Sequence, residues 1–219
     1  MGWLSRIWRT PSRDVRPERQ KEAVPPPVVR TAPGVAAIFA GLKNDGSHGI
    51  LDLGPAVEAN LRFYGRFARW VRFGSLLRSP PRGDAWQEAL QELPPLPDRP
   101  YDVVMAWNIL DRLPPEHRPL LIERIAQLTG PGARLYVLVD GSGEDLTYPL
   151  RFSIQDDGFV SQEKVGPASP AYPQLLPAEV ERILTPFHVA HAFTLRGGFR
   201  EYVARWSEQE AGLDTWWTR

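Results

Sequence analysis

The chain has 219 residues, 42% of them hydrophobic, with 26 basic and 26 acidic side chains and no cysteine. Balanced charge excludes a broad basic field for nucleic acid or an acidic one for basic partners, and the missing thiols exclude disulfides, zinc–thiolate sites and a cysteine nucleophile. The length suits one α/β domain with a full core and a small accessory segment; with no apolar run of membrane-spanning length and no signal-peptide pattern, the expected location is the cytoplasm.

Residues 1–30 read as a flexible tail and linker. Trp3, Leu4, Ile7 and Trp8 share one helical face, with Arg6, Arg9, Arg13, Arg16 and Arg19 off it or following. Such a segment docks weakly on an anionic membrane or in a partner's groove, or else folds its tryptophans back onto the domain. Val24 to Val29 reads as an extended polyproline linker. Thr31 stands as N-cap, with Pro33 just inside, for a helix through Leu42 that ends near Asn44-Asp45-Gly46.

The chain then reaches Gly49 to Asn60, the stretch on which the functional reading turns. Ile50-Leu51-Asp52-Leu53 is a short apolar run containing an acid, Gly54 and Pro55 follow, and Pro55 to Phe67 reads as a helix burying Val57, Leu61 and Tyr64 or Phe67. Gly54 lets a ligand approach the backbone, Pro55 is pre-set for the first helical position, and free N–H groups of the first turn favour an anion. Asp52 can accept hydrogen bonds from an ammonium or hydroxyl. The same pattern also serves as an ordinary strand-to-helix turn in any α/β protein.

A second strand is expected around Trp70 to Phe73, and Asp84 is placed to N-cap a helix from Ala85 to Leu93. Tyr101 to Trp107 is a largely apolar run of the kind found in parallel strands buried on both faces. Asn108 falls just past its carboxyl end, where α/β sheets collect ligands, and Trp107 reads either as a pocket wall or as a core aromatic. Leu120, Ile122, Ile125 and Leu128 mark a helix, and Leu135 to Val139 a further buried strand. Leu150 to Gln155 and Phe159 to Lys164 flank Asp156-Asp157-Gly158, a hairpin signal. A helix from Ala178 to Leu184 leads to two closing strands, Val189 to Leu195 and Phe199 to Trp206. His188 and His191, three apart on a strand, are expected on opposite faces, and no metal site is expected.

Two blocks carry a family resemblance. Asp52-Leu53-Gly54-Pro55-Ala56-Val57-Glu58 resembles motif I of the class I S-adenosylmethionine (SAM)-dependent methyltransferases, with Ala56 and Glu58 where the later glycines usually stand. Tyr101 to Val139 resembles the family's fourth-strand, helix, fifth-strand block, with Gly130-Pro131-Gly132-Ala133 in its proline–glycine slot. The resemblance implies a three-layer Rossmann-like α/β fold over residues 31–206. Its sheet would be mostly parallel and seven-stranded with antiparallel closing strands, with a small hairpin insertion at about 148–166 and a C-terminal tail over 207–219. It implies SAM as cofactor, held by Asp52, Gly54, Pro55, Ala56, Ser75, Asp84, Ala106, Trp107 and Asn108. The family's ribose-binding acid has no counterpart at Phe73, Gly74 or Ser75, so Ser75 offers one weaker hydrogen bond instead. Glu58 would repel the cofactor carboxylate unless its side chain turns to solvent.

The implied reaction is methyl transfer to a small-molecule acceptor, nucleic acid being disfavoured, with catalysis mainly by positioning. Asn108, Asp111 and Tyr148 are candidates to orient or deprotonate the acceptor. Two other readings stand beside this one. The first is a methyltransferase-shaped interaction protein without turnover, suggested by Ala56, Glu58 and the missing ribose carboxylate. The second is a nicotinamide dinucleotide site, suggested by the spacing of Gly54, Ala56 and Ala59.

Overall fold

The computed structural model describes residues 26–74, 85–96, 98–144 and 146–206. In chain order the elements are β1 (Val28–Thr31), α1 (Pro33–Phe39), β2 (His48–Asp52), α2 (Glu58–Tyr64), β3 (Ala68–Phe73), α3 (Ala85–Gln91) and β4 (Tyr101–Ala106). There follow α4 (Arg118–Leu128), β5 (Thr129–Asp140), β6 (Leu146–Thr147), β7 (Leu150–Asp156), β8 (Phe159–Lys164), β9 (Ser169–Pro170), α5 (Pro177–Ile183), β10 (Phe187–Thr194) and β11 (Phe199–Trp206).

The central sheet has the order β3-β2-β4-β5-β11-β10. The first four strands run parallel, and β11 and β10 close it antiparallel. From β2 the chain winds outward to β3 and then returns to the other side of β2 as β4, so direction reverses between the carboxyl ends of β2 and β4. Open α/β sheets take their ligands at such a reversal.

Helices and strands cover both faces, which is why the central strands are apolar without alternation. Leu51, Val104, Leu135 and Val137 join residues of α3, α4 and α5 in one core. Ile50, Val103, Met105, Tyr136 and Leu138 face the other way, into a second core shared with α1, α2, β7 and β8. Val203 of β11 closes that second core, and no helix among the described residues is long and apolar enough to cross a membrane.

Several expectations need correction. The main sheet holds six strands among the described residues, not seven. The stretch read as a linker enters a strand at Val28, because β8 supplies an antiparallel partner that pairs Val28 with Gln162 and Thr31 with Phe159. Thr31 therefore lies in β1 rather than capping α1, whose N-cap position is Ala32. Pro55 is not the first helical residue either: the Asp52 carboxylate captures the Gly54 N–H and closes a local turn, Val57 is extended, and α2 opens only at Glu58.

The buried face of α2 is Asn60, Phe63 and Tyr64, while Leu61 is 51% exposed. One residue along a helix is a rotation of roughly 100°, enough to turn the expected stripe outward. At the far edge, a bulge between Val189 and His191 sets His188 opposite Arg205 and His191 opposite Val203. Because 205 and 203 share a face of β11, both histidines lie on one side of the sheet, not on opposite sides.

Candidate functional site

β2 delivers Asp52 to the reversal point, and the carboxylate arrives fully buried. Its Oδ1 accepts the Gly54 N–H at 2.7 Å and the Trp107 Nε1–H at 2.9 Å. Its Oδ2 accepts the Tyr64 hydroxyl at 2.8 Å and the Asn60 Nδ2–H at 3.3 Å. A carboxylate has about four acceptor positions, so these four donors use its capacity. Burial pushes Asp52 up to about 6, and the hydrogen bonds from Gly54, Tyr64, Trp107 and Asn60 all pull the other way. The Tyr64 hydroxyl is driven well above its ordinary value, by burial first and by the neighbouring Asp52, which keeps it a donor.

Trp107, at the tip of β4, is 4% exposed. Its indole lies against Gly54 so closely that a Cβ there would sit 3.0 Å from the indole Cδ1 and 3.0 Å from Asp52 Oδ1. On its other sides the indole stacks on Phe152 (centroids 5.1 Å apart, planes at 9°) and takes Tyr136 edge-on at 5.2 Å. The glycine face that the sequence leaves open to a ligand is covered by the protein's own tryptophan. Asn60 extends the cluster further, donating to the Phe152 carbonyl at 3.0 Å and accepting the Ile154 N–H at 2.7 Å.

The structure thus gathers Asp52, Gly54, Ala106, Trp107 and Asn108 at one point. Asn108 is 3% exposed, and its side chain enters no hydrogen bond among the described residues. Pro55 and Ala56 lie in the loop leading to α2, with Ala56 exposed. Ser75 and Asp84 lie outside the described residues. Glu58 turns away to solvent, where it pairs with Arg62 at 2.6 Å, so it does not face Gly54. Asn60 and Tyr64 are the members that sequence reasoning missed as site residues. Their signal was an asparagine and a tyrosine four apart on one helix face, aligned to meet the end of β2.

The other candidates go elsewhere. Tyr148 carries the Lys164 ammonium 3.7 Å above its ring, and no hydrogen bond links it to the Asp52 cluster among the described residues. Asp111 sits in a separate cleft beyond β4 and β5, lined with Asp140, Ser142, Glu144, Tyr172 and Gln174. Its Oδ2 accepts the Asp140 N–H at 2.9 Å. Burial pushes Asp111 up to about 8; that hydrogen bond opposes the rise, the Asp140 charge adds to it, and Arg118 and Arg200 oppose it. Among the described residues no three histidine, cysteine or acidic side chains gather to hold a metal.

No protein-family model matches the chain, and no curated protein sequence matches it. Solved structures do. The 1,6-didemethyltoxoflavin N1-methyltransferase of Burkholderia thailandensis, solved with 1,6-didemethyltoxoflavin and S-adenosylhomocysteine, superposes with a TM-score of 0.51 at 18% identity, covering 80% of this chain and 77% of that one. A SAM-dependent methyltransferase from Mesorhizobium loti gives 0.50 at 17% identity, covering 80% of this chain and 98% of that one. The chain has the class I methyltransferase fold. The likeness is one of architecture, and within it the Asp52–Gly54 turn and the tip of β4 occupy the two sides of the sheet's reversal point.

Proposed function

We propose that the chain is a SAM-dependent methyltransferase acting on a small-molecule acceptor, with its cofactor crevice closed in this structure. One observation carries the reading: the acid–x–glycine turn after β2 and the Ala106-Trp107-Asn108 tip of β4 meet where the parallel sheet reverses direction. The Burkholderia structure supports the cofactor class and the acceptor class, since that enzyme was solved with both S-adenosylhomocysteine and 1,6-didemethyltoxoflavin bound.

On this reading Asp52, Gly54, Pro55, Ala56, Ala106, Trp107 and Asn108 would line the methionine end of the cofactor. Ser75 and Asp84 are assigned to its ribose and adenine on sequence grounds. The cofactor would supply an electrophilic methyl group, and the chain would enclose and orient the partners. As the side chains stand, they do not fit it. Trp107 covers the face of Gly54, and Asp52 has no acceptor position left for an ammonium. The indole must leave Gly54 before that group can enter. Calorimetric titration of the full chain with SAM and with S-adenosylhomocysteine is expected to give one site per chain, lost in Gly54→Leu. No heat at millimolar ligand would end this reading.

A second reading has a specific observation in its favour. The closure over Gly54, together with Glu58 and Ala56 at glycine positions, suits a methyltransferase-shaped interaction protein that has lost turnover. That protein gives no heat with either ligand, so the same titration separates the two.

A further inference from the structure

β1, β8 and β7 form a three-stranded antiparallel sheet that shares no backbone ladder with the six-stranded one. Side chains fasten it. Phe152, Ile154 and Val160 press into the core beside Trp107, Tyr136 and Leu138. Asn60 does what a neighbouring strand would do: its amide donates to the Phe152 carbonyl and accepts the Ile154 N–H, while the same Nδ2 reaches Asp52. At the hairpin tip Arg66 pairs with Asp157 at 3.1 Å, half-exposed.

Against these contacts, the inner side of the small sheet is imperfectly matched. Gln162 Oε1 on β8 is buried without a hydrogen-bond partner among the described residues, as are Arg30 Nε and Nη1 on β1, whose guanidinium is offset in part by lying 4.3 Å over the Phe199 ring. Burial also lowers the pKa of Arg30, against the pull of Tyr136, Asp140 and Glu201. Buried polar atoms left unpaired weaken the closed state that buries them.

We propose that the β1–β8–β7 sheet is an occluding strap, which shuts the crevice between β2 and β4 by laying Phe152 on Trp107 and opens as a unit when Asn60 releases β7. Opening removes the stacked Phe152 ring and leaves the indole held by its hydrogen bond to Asp52 and by Tyr136 alone, from which it can swing off Gly54. What then enters the crevice rests on the methyltransferase reading; the opening does not. A ligand that binds only the open form has its apparent affinity reduced by the open fraction. Asn60 is therefore a positioning residue, acting through β7 and through its amide bond to Asp52.

Hydrogen exchange on the full chain tests this. Amides of β7 and β8, Ile154 among them, are expected to exchange through a smaller opening than those of β4 and β5. Asn60→Ala removes three hydrogen bonds, and the two lost to β7 are expected to speed exchange in β7 and β8 about tenfold and to leave β4 and β5 unchanged. Because the chain has no cysteine, Ile154→Cys places a single thiol under the strap, and its maleimide labelling should follow the same order. If N60A does not fold, the wild-type exchange pattern and Arg66→Ala, which loosens the hairpin tip, decide the matter. Equal exchange in β7 and β5, moved together by either variant, overturns the strap and makes the small sheet part of one cooperative core.

The ligand arm uses SAM itself. Tighter SAM binding by R66A as well as by N60A, about tenfold in N60A, with faster strap exchange in bound wild type, supports the gate, whereas tightening in N60A alone reports the acceptor freed on Asp52 and overturns it. Equal SAM binding by wild type and N60A, with strap exchange unaffected by ligand, overturns it. Faster strap exchange in N60A with no SAM binding by either protein supports the strap and removes the methyltransferase reading alone.

Discussion

Two acids mark the carboxyl end of the sheet, and they are treated differently. Asp52 is fully buried and meets four donors, from Gly54, Asn60, Tyr64 and Trp107. Asp111 opens onto a cleft, receives a hydrogen bond from the Asp140 backbone and has the Asp140 carboxylate nearby. Burial raises both, yet Asp52 reaches only about 6 and Asp111 about 8. Donors stabilise a carboxylate, so the better-supplied acid keeps its charge more easily despite deeper burial. The comparison separates two environments: Asp52 has its acceptor positions filled by the protein's own donors in the closed form, whereas Asp111 takes one backbone donor and faces a cleft.

The largest effect should come from removing the better-supplied acid. Asp52→Ala strands three side-chain donors and one backbone N–H in the core, and is expected to cost about 3–5 kcal/mol in urea denaturation. Asp111→Asn at pH 6 replaces a neutral acid with its isostere and should stay within about 1 kcal/mol of wild type. Equal losses in the two variants would break the comparison.

The second effect is read by pH. The unfolded chain ionises Asp111 near 4, whereas the folded chain holds the proton until about 8. Its contribution to stability is therefore whole below pH 4 and is lost as pH rises to 8. Each tenfold difference in proton affinity between the folded and unfolded chain corresponds to about 1.4 kcal/mol, and with a discount for water in the cleft the loss is on the order of 3 kcal/mol. Urea midpoints of wild type minus those of Asp111→Asn should fall across that window. A flat difference would mean that folding leaves the proton affinity of Asp111 unchanged.

Much of this frame was legible locally. Tyr101 to Val139 is read correctly because a doubly buried strand, an apolar helix face and a second such strand are patterns within a few residues of one another. The strands on either side of Asp157-Gly158 pair as their turn residues suggest. The closure of the crevice was not legible, because its parts are remote. Trp107 meets Asp52 across 55 residues and Asn60 meets Phe152 across 92, and nothing in either neighbourhood announces the partner. β1 was missed for the same reason: Val28 becomes a strand only because Gln162 pairs with it. Leu61 was misplaced because a short helix takes its rotation from what it packs against, here Asp52 and β7 through Asn60.

A smaller effect sharpens the Asp52 side of the comparison. Trp107→Phe keeps a ring for Phe152 to stack on but removes one of the four donors. It is expected to cost about 1–2 kcal/mol in the same urea assay, well below Asp52→Ala. A loss as large as that of Asp52→Ala would mean that packing on Gly54, rather than the hydrogen bond, holds the indole.

The smallest effect concerns the residue that departs most visibly from a glycine motif. Glu58 is 85% exposed and its partner Arg62 79% exposed, an i,i+4 pair on the outside of α2. Exposed pairs of this kind contribute about 0.3–0.5 kcal/mol, so Glu58→Ala should change stability by no more than about that. The turn closed by Asp52 delays the helix to position 58 and points that side chain outward, so SAM affinity measured by calorimetry should change less than about twofold, the size of a weak exposed-charge effect. If Glu58→Ala instead tightens SAM tenfold, the carboxylate faces the ligand once the crevice opens. The strap's movement would then have to carry α2 with it, because Asn60 sits on the same two helical turns.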